Sequence, residues 1–246
     1  MMTVTRRDAI RISGGTLAGL SLGAKLSPEE LAAAEAALQS QEWPETLVEV
    51  ETRAGFPVDL PLEADGSAPT HLASAAGPIE GRLMWRTEDR PAPPGEYDYR
   101  QMRIRVDTRR LARLSGTLRF EDLERLPEVS QTFLLQCGAP EPRGVVKWTG
   151  VRFSDFVDML ELVEGARENG YVRFVATDNH YVDESVRELM SPQVMLAWMM
   201  NDEPISAAHG APLRLIVPFR YGNRSIKAIT QIVFAVPGLP PWNPTA

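Results

Sequence analysis

The chain has 246 residues and a formal net charge of −7, with 43% hydrophobic and 24% charged residues, enough apolar material for one ordinary core plus extensions. Its acidity argues against nucleic acid as the main partner, because a phosphate backbone needs a clustered basic face. No stretch approaches the roughly 20 consecutive apolar residues that cross a bilayer, so the mature protein is expected to be soluble.

In chain order, residues 1–26 differ from the rest. "TRRDAIRISGGTLAGLSLGAKL" carries Arg6, Arg7 and Arg11 before a glycine-bearing, weakly apolar stretch, the pattern of a twin-arginine export signal. The bland alternative is a frayed basic terminus. A helical spacer is expected over 27–45, with Ser27 as N-cap, Pro28 at the first helical position and Glu30 three residues after the cap. The main domain is expected over 46–240, with a tail over 241–246. It opens with "TLVEVET", which alternates like a strand. From Ala54 to Tyr99 the chain is rich in Pro and Gly with little periodicity, and so long an irregular stretch often lines a site.

"RQMRIRVDT" alternates cleanly and predicts a strand with Met102, Ile104 and Val106 on one face and Arg103 and Arg105 on the other. "RFEDLERLPEV" predicts a short helix and "SQTFLLQC" a buried strand. "VRFSDFVDMLELV" sets Phe153, Phe156, Leu160 and Val163 at helical spacing, with Ser154 as N-cap. "YVRFVATDNHYV" reads as a strand running into a polar turn. "SPQVMLAWMMNDEPI" reads as a core-facing element that turns at Asn201-Asp202. "PLRLIVPF" and "SIKAITQIVFAV" read as strands around the loop "RYGNR". Strands and short helices intermingle without regular βαβ alternation, which predicts an α+β fold.

Cys137 is the chain's one cysteine, so no disulfide can form within the chain. Three readings stay open from the residues alone: a buried inert thiol, a nucleophile, or a metal ligand. A nucleophile wants a histidine, and the chain has His71, His180 and His209, without the surroundings that identify a cysteine hydrolase. A lone cysteine with scattered histidines does not make recognisable zinc spacing. In an exported protein an unshielded thiol would be open to oxidation.

The segment from His209 to Phe234 contains Arg214, Arg220, Arg224 and Lys227 and no acidic residue. With Gly222 for a tight turn and the Ser225 hydroxyl, these are the parts of an oxyanion or phosphate cradle. The alternative is a solvated hairpin whose arginines pair with surface carboxylates.

Together, "LLQC", "VVKWTGVRFSDFVDMLE", "YVRFVATDNHY" and "LAWMMNDEPISAAHGAPLRLIVPFRYGNRSIKAITQI" resemble, in order, the molybdopterin-binding oxidoreductase domain of the sulfite oxidase family. The resemblance implies a sulfite-oxidase-type fold with mixed sheets and short helices. It implies that Cys137 is the single protein thiolate on molybdenum, the other sulfurs coming from the pyranopterin; a soft thiolate suits such a metal. It points the basic segment at the pterin phosphate through His209, Arg214, Arg224, Ser225 and Lys227, with Arg86 in an upstream cofactor-binding stretch.

The implied chemistry is two-electron oxygen-atom transfer between Mo(VI) and Mo(IV) on a sulfite-like oxyanion or a sulfoxide. Tyr181 would bond substrate or an oxo group; Asp178 and Asn179 would line the mouth or form a plain solvated β-turn, and Arg143 would meet an anionic substrate or cap the loop. Twin-arginine export would place the enzyme in the periplasm with its cofactor already inserted. Electrons would pass to or from a separate cytochrome or membrane haem subunit.

The sequence departs from the family pattern in places. Arg86-Thr87-Glu88 stands where Arg-Asn-His is common, Ala228 replaces an aromatic, and the loop "GAPEPRGVV" is short. No carboxy-terminal dimerisation domain or haem-attachment motif is seen, so a monomer is expected. A degenerate member acting as a non-catalytic binding module is the competing reading, and a cysteine hydrolase a third.

Overall fold

The computed structural model describes residues 59–77, 94–136 and 143–237. The chain divides into Met1–Ala54 and Gly55–Ala246, and every described residue belongs to the second unit. The expected export signal, helical spacer, "TLVEVET" strand and terminal tail all lie outside the described residues.

Among the described residues ten strands form two five-stranded sheets. The first runs in the order β2-β1-β10-β5-β6, built from β1 (Ile104–Asp107), β2 (Gly116–Leu118), β5 (Tyr171–Ala176), β6 (Tyr181–Ser185) and β10 (Ile229–Ala235). The second joins β3 (Glu128–Gln136), β4 (Arg143–Arg152), β7 (Met195–Met200) and β8 (Glu203–Pro204), with β9 (Arg214–Ile216) also paired to β7. β1 and β10 run parallel, and the other pairs are antiparallel. Among the described residues four short helices, α1 (Phe120–Leu123), α2 (Phe153–Leu160), α3 (Glu164–Asn169) and α4 (Val186–Leu189), complete an α+β architecture.

Alternation decides which faces are buried. Met102, Ile104 and Val106 are buried while Arg103 and Arg105 are exposed, as expected. The main core packs these side chains with Val172, Phe174, Ile232 and Phe234 of the first sheet and with Val151, Leu196 and Trp198 of the second. A smaller core lies on the other face of the second sheet, with Phe133, Leu135, Val146, Trp148, Met195 and Ala197. β7 is therefore buried on both faces, which explains its unbroken apolar run. Asn201 and Asp202 then take φ of 52° and 67°, the two left-handed positions a tight hairpin requires and these residue types tolerate.

Two expectations for "VRFSDFVDMLELV" are corrected. Arg152, not Ser154, occupies the N-cap position of α2, without a side-chain cap hydrogen bond, because the chain passes directly from the β4 ladder into the helix, with the Phe153 N–H bonded to the Val194 carbonyl at 3.0 Å. Val163 is half-exposed. The helix ends at Leu160 with Glu161 left-handed at φ 56°, which turns the chain before Val163 reaches the buried face; Val157 fills that face instead.

Gly150 explains its place in "WTG". A Cβ there would lie 2.0 Å from the Leu196 carbonyl oxygen, where the β4–β7 register shifts between Thr149 and Gly150. Only glycine permits that approach.

Candidate functional site

β3 and β4 are neighbours from Glu128↔Val151 to Gln136↔Arg143. Gln136 ends β3 with its side chain buried. Cys137 follows it in sequence but lies, with Arg86, outside the described residues. Against this strand end sits the turn Gly222–Arg224. A Cβ on Gly222 would lie 3.4 Å from Leu135 Cδ1 and 3.5 Å from the Gln136 carbonyl oxygen. The basic loop thus abuts the residue that immediately precedes Cys137, across more than 80 positions of sequence.

Three of the expected anion-binding residues come together around Gly210. His209 closes a 3-10 turn, Ala207–His209, and is buried. Arg214 opens β9 and is buried, its Nη1 donating to the His209 carbonyl at 2.9 Å. Its guanidinium carbon lies 4.9 Å from the centre of the Trp148 ring. Lys227 donates from Nζ to the Ala208 carbonyl at 3.3 Å.

Gly210, at φ 106°, separates these groups, and a Cβ there would lie 2.6 Å from Lys227 Cβ. Burial first, and then the Lys227 and Arg214 cations, push the His209 pKa down to about 4. His209 is therefore neutral at pH 7, and among the described residues its buried Nδ1 has no hydrogen-bond partner.

The other half of the basic segment is bonded to carboxylates. Arg220 Nη2 pairs with Glu188 at 2.6 Å. Arg224 Nε donates to Glu184 at 2.6 Å, and its Nη2 donates to the Asp183 carbonyl. Glu184 is 5% exposed. Burial raises its carboxyl above the ordinary range despite the counteracting bond from Arg224. The solvated-hairpin reading describes Arg220 well, whereas Arg224 reaches a buried carboxylate. Ser225 is buried, and its Oγ accepts the Val217 N–H at 3.0 Å.

The "TDNH" turn is tied to the same loop. Thr177 N–H and Oγ1 donate to the Ala228 carbonyl at 3.1 and 3.3 Å. A Cβ on Gly95 would lie 3.6 Å from Thr177 Cγ2. Asp178 accepts the His180 N–H at 3.1 Å, and Asn179 is left-handed at φ 63°, so this is a closed polar turn. Tyr181 is half-exposed with Arg173 stacked 4.1 Å from its ring centre. Arg173 in turn grips Asp183 at 2.7 and 2.6 Å. Tyr181 belongs to that cluster on β6. The backbone of Arg143 pairs with Gln136 at the open end of the β3–β4 hairpin.

Sequence reasoning passed over Trp148 and Glu184. Trp148 stands in the quoted "VVKWTG" with nothing to mark it as the platform for a distant arginine. Glu184 reads as a solvated strand residue until its partner arrives from 40 positions downstream.

The profile described as "oxidoreductase molybdopterin binding domain" matches residues 91–236. The chain is 31% identical over 145 residues to mitochondrial sulfite oxidase of Drosophila melanogaster, covering 48% of this chain and 25% of that protein. It is 29% identical over 136 residues to the catalytic subunit of protein-methionine-sulfoxide reductase from Campylobacter jejuni, covering 48% of this chain and 44% of that one. The fold matches sulfane dehydrogenase SoxCD from Paracoccus pantotrophus with a TM-score of 0.50 and 18% identity, over 86% of this chain and 59% of that one. The chain therefore spans less than two thirds of each of these proteins.

Proposed function

The chain belongs to the family of oxidoreductase molybdopterin-binding domains, and from that premise we propose that it is an exported molybdenum enzyme acting on a small oxo substrate, a sulfite-like oxyanion or a sulfoxide. The observation that carries the reading is the seating of Gly222 on the Gln136 carbonyl, since it ties the loop bearing Ser225 and Lys227 to the residue before Cys137.

The donor set fits the cofactor. His209 Nδ1 is a buried polar atom without a protein partner among the described residues, and such an atom calls for a ligand or water. The Lys227 and Arg214 cations that depress His209 are the groups a phosphate oxygen would meet. In this reading His209, Arg214, Ser225 and Lys227 hold the pterin phosphate end, Arg86 contributes from the upstream stretch, and the Cys137 thiolate binds molybdenum. When bound, the cofactor supplies two-electron oxygen-atom transfer, with water as source or sink of the oxygen and a partner protein exchanging the electrons.

The protein's own residues do the positioning. Trp148 supports the Arg214 guanidinium from one side while the His209 carbonyl fixes Nη1, so Arg214 is oriented before any anion arrives. Neutral His209 offers a hydrogen bond without adding a third positive charge to those of Arg214 and Lys227. Export by the twin-arginine route and a separate cytochrome or membrane haem partner complete the proposal.

Molybdenum analysis of protein from a molybdenum-replete host, beside Cys137→Ser, tests it. Wild type is expected to carry roughly one metal per chain and the variant to lose it. Folded wild type without molybdenum would overturn the enzyme and leave a binding module.

A further inference from the structure

We propose that Glu184 and Arg224 form a tether between the two sheets that sets the position of the anion-holding loop, so that Arg224 is a positioning residue and not a ligand of the cofactor. This rests on the reading of Ser225 to Lys227 as part of the cofactor cradle.

The turn Gly222–Arg224 touches both sheets. At its first residue a Cβ would lie 3.5 Å from the Gln136 carbonyl, at the end of β3 in the second sheet. At its last residue Arg224 Nε reaches Glu184 at 2.6 Å and Nη2 reaches the Asp183 carbonyl, both on β6 in the first sheet. The guanidinium thus spends two donors in one fork on a single strand, a geometry that lysine cannot reproduce.

The backbone that follows leaves little slack. Arg224 N–H donates to the Tyr221 carbonyl at 2.8 Å and Ser225 N–H to Gly222 at 3.2 Å. Ser225 Oγ accepts from Val217 N–H, and the Ile226 carbonyl accepts from Leu215 N–H at 3.0 Å. A displacement of the turn is therefore passed to Lys227, three residues on.

Glu184 is an unexpected residue to bury for packing alone. Its side chain is 6% exposed in the pair, against 36% for Arg224, so its desolvation is costly and an apolar residue would fill the space at lower cost. What a buried pair supplies and an apolar contact does not is direction. The bond defines where along β6 the turn must sit.

The test uses Glu184→Ala, Arg224→Ala, the double variant and the milder Glu184→Gln, each produced in a molybdenum-replete host. Two quantities are read: the rate of molybdenum loss on dialysis, and amide hydrogen exchange at residues 222–227 in cofactor-free protein. A tether predicts that each alanine variant loses metal about tenfold faster or more, that the double variant is no worse than either single one, and that exchange across 222–227 rises in all three. Glu184→Gln, which keeps an acceptor, is expected to lie between them and wild type.

If Arg224→Ala loses cofactor while Glu184→Ala retains it, Arg224 touches the cofactor directly and the tether is overturned. Unchanged exchange in Glu184→Ala overturns it as well. Wild type without molybdenum would defeat the proposed function, and the exchange data would then judge the tether alone.

Discussion

The two pairs of cations in the segment from His209 to Phe234, Arg220 with Arg224 and Arg214 with Lys227, are alike in sequence and differ in the neighbours they act on. Arg220 and Arg224 end on the carboxylates of Glu188 and Glu184. Arg214 and Lys227 end on the main-chain carbonyls of His209 and Ala208, and their charge is felt by His209. The first pair is compensated by acids from β6 and α4 and serves the fold. The second bears on a neutral histidine, lowering its pKa, and among the described residues the Nδ1 of that histidine has no hydrogen-bond partner. An acid-free run of sequence therefore is not a uniformly electropositive surface.

The sharpest way to break this contrast is at its tightest point. Gly210→Ala would set a Cβ 2.6 Å from Lys227 Cβ on a backbone at φ 106°, with backbone strain of about 1–3 kcal/mol before any clash. The expected result is a lowered melting temperature and near-complete loss of bound molybdenum. Retention of metal at wild-type levels would mean that Lys227 does not hold the cofactor.

A middle-sized effect comes from pH. His209 has a pKa of about 4 in the folded chain against an ordinary 6.5. Between these values the unfolded chain binds a proton that the folded chain refuses, so stability rises with pH across the window and is lost as pH falls from 6.5 toward 4. For cofactor-free protein the loss is on the order of 2 kcal/mol. Denaturant midpoints at a series of pH values should show this slope for wild type and a shallower one for His209→Gln. A bound phosphate would favour the imidazolium, so the slope should also flatten in cofactor-loaded protein. Identical slopes in loaded and free protein would place the phosphate elsewhere.

The smallest effect belongs to the compensated pair. Arg220 and Glu188 have side chains 47% and 43% exposed. Replacing either with alanine is expected to change stability by under about 1 kcal/mol and to leave molybdenum content unchanged. A large loss of metal in Arg220→Ala would erase the distinction between the pairs.

Much of the fold was legible in local pattern. Alternation from Met102 to Val106 assigned the buried face of β1, and the apolar run of β7 signalled burial. The helix after Arg152 was legible in type but not in its ends. A left-handed Glu161 and a ladder running up to Arg152 are settled by neighbouring strands, not by spacing. For the site, the grouping of His209, Arg214 and Lys227 was legible because all three lie within one segment. The roles of Trp148 and Glu184 were not, since a stacking platform or a buried counter-ion has no local signature.

The amino-acid sequence by itself determined the α+β class, the family, and which residue types could hold an anion, because periodicity, turn chemistry and charge are properties of neighbours along the chain. Only the tertiary structure decided which cations are spent on carboxylates and which bear on His209. It also decided that the basic loop lies beside the residue preceding Cys137. Those outcomes depend on pairing between β3, β6 and the Gly222 turn, where contacts distant in sequence set both the distances and the local dielectric that give each charge its effect.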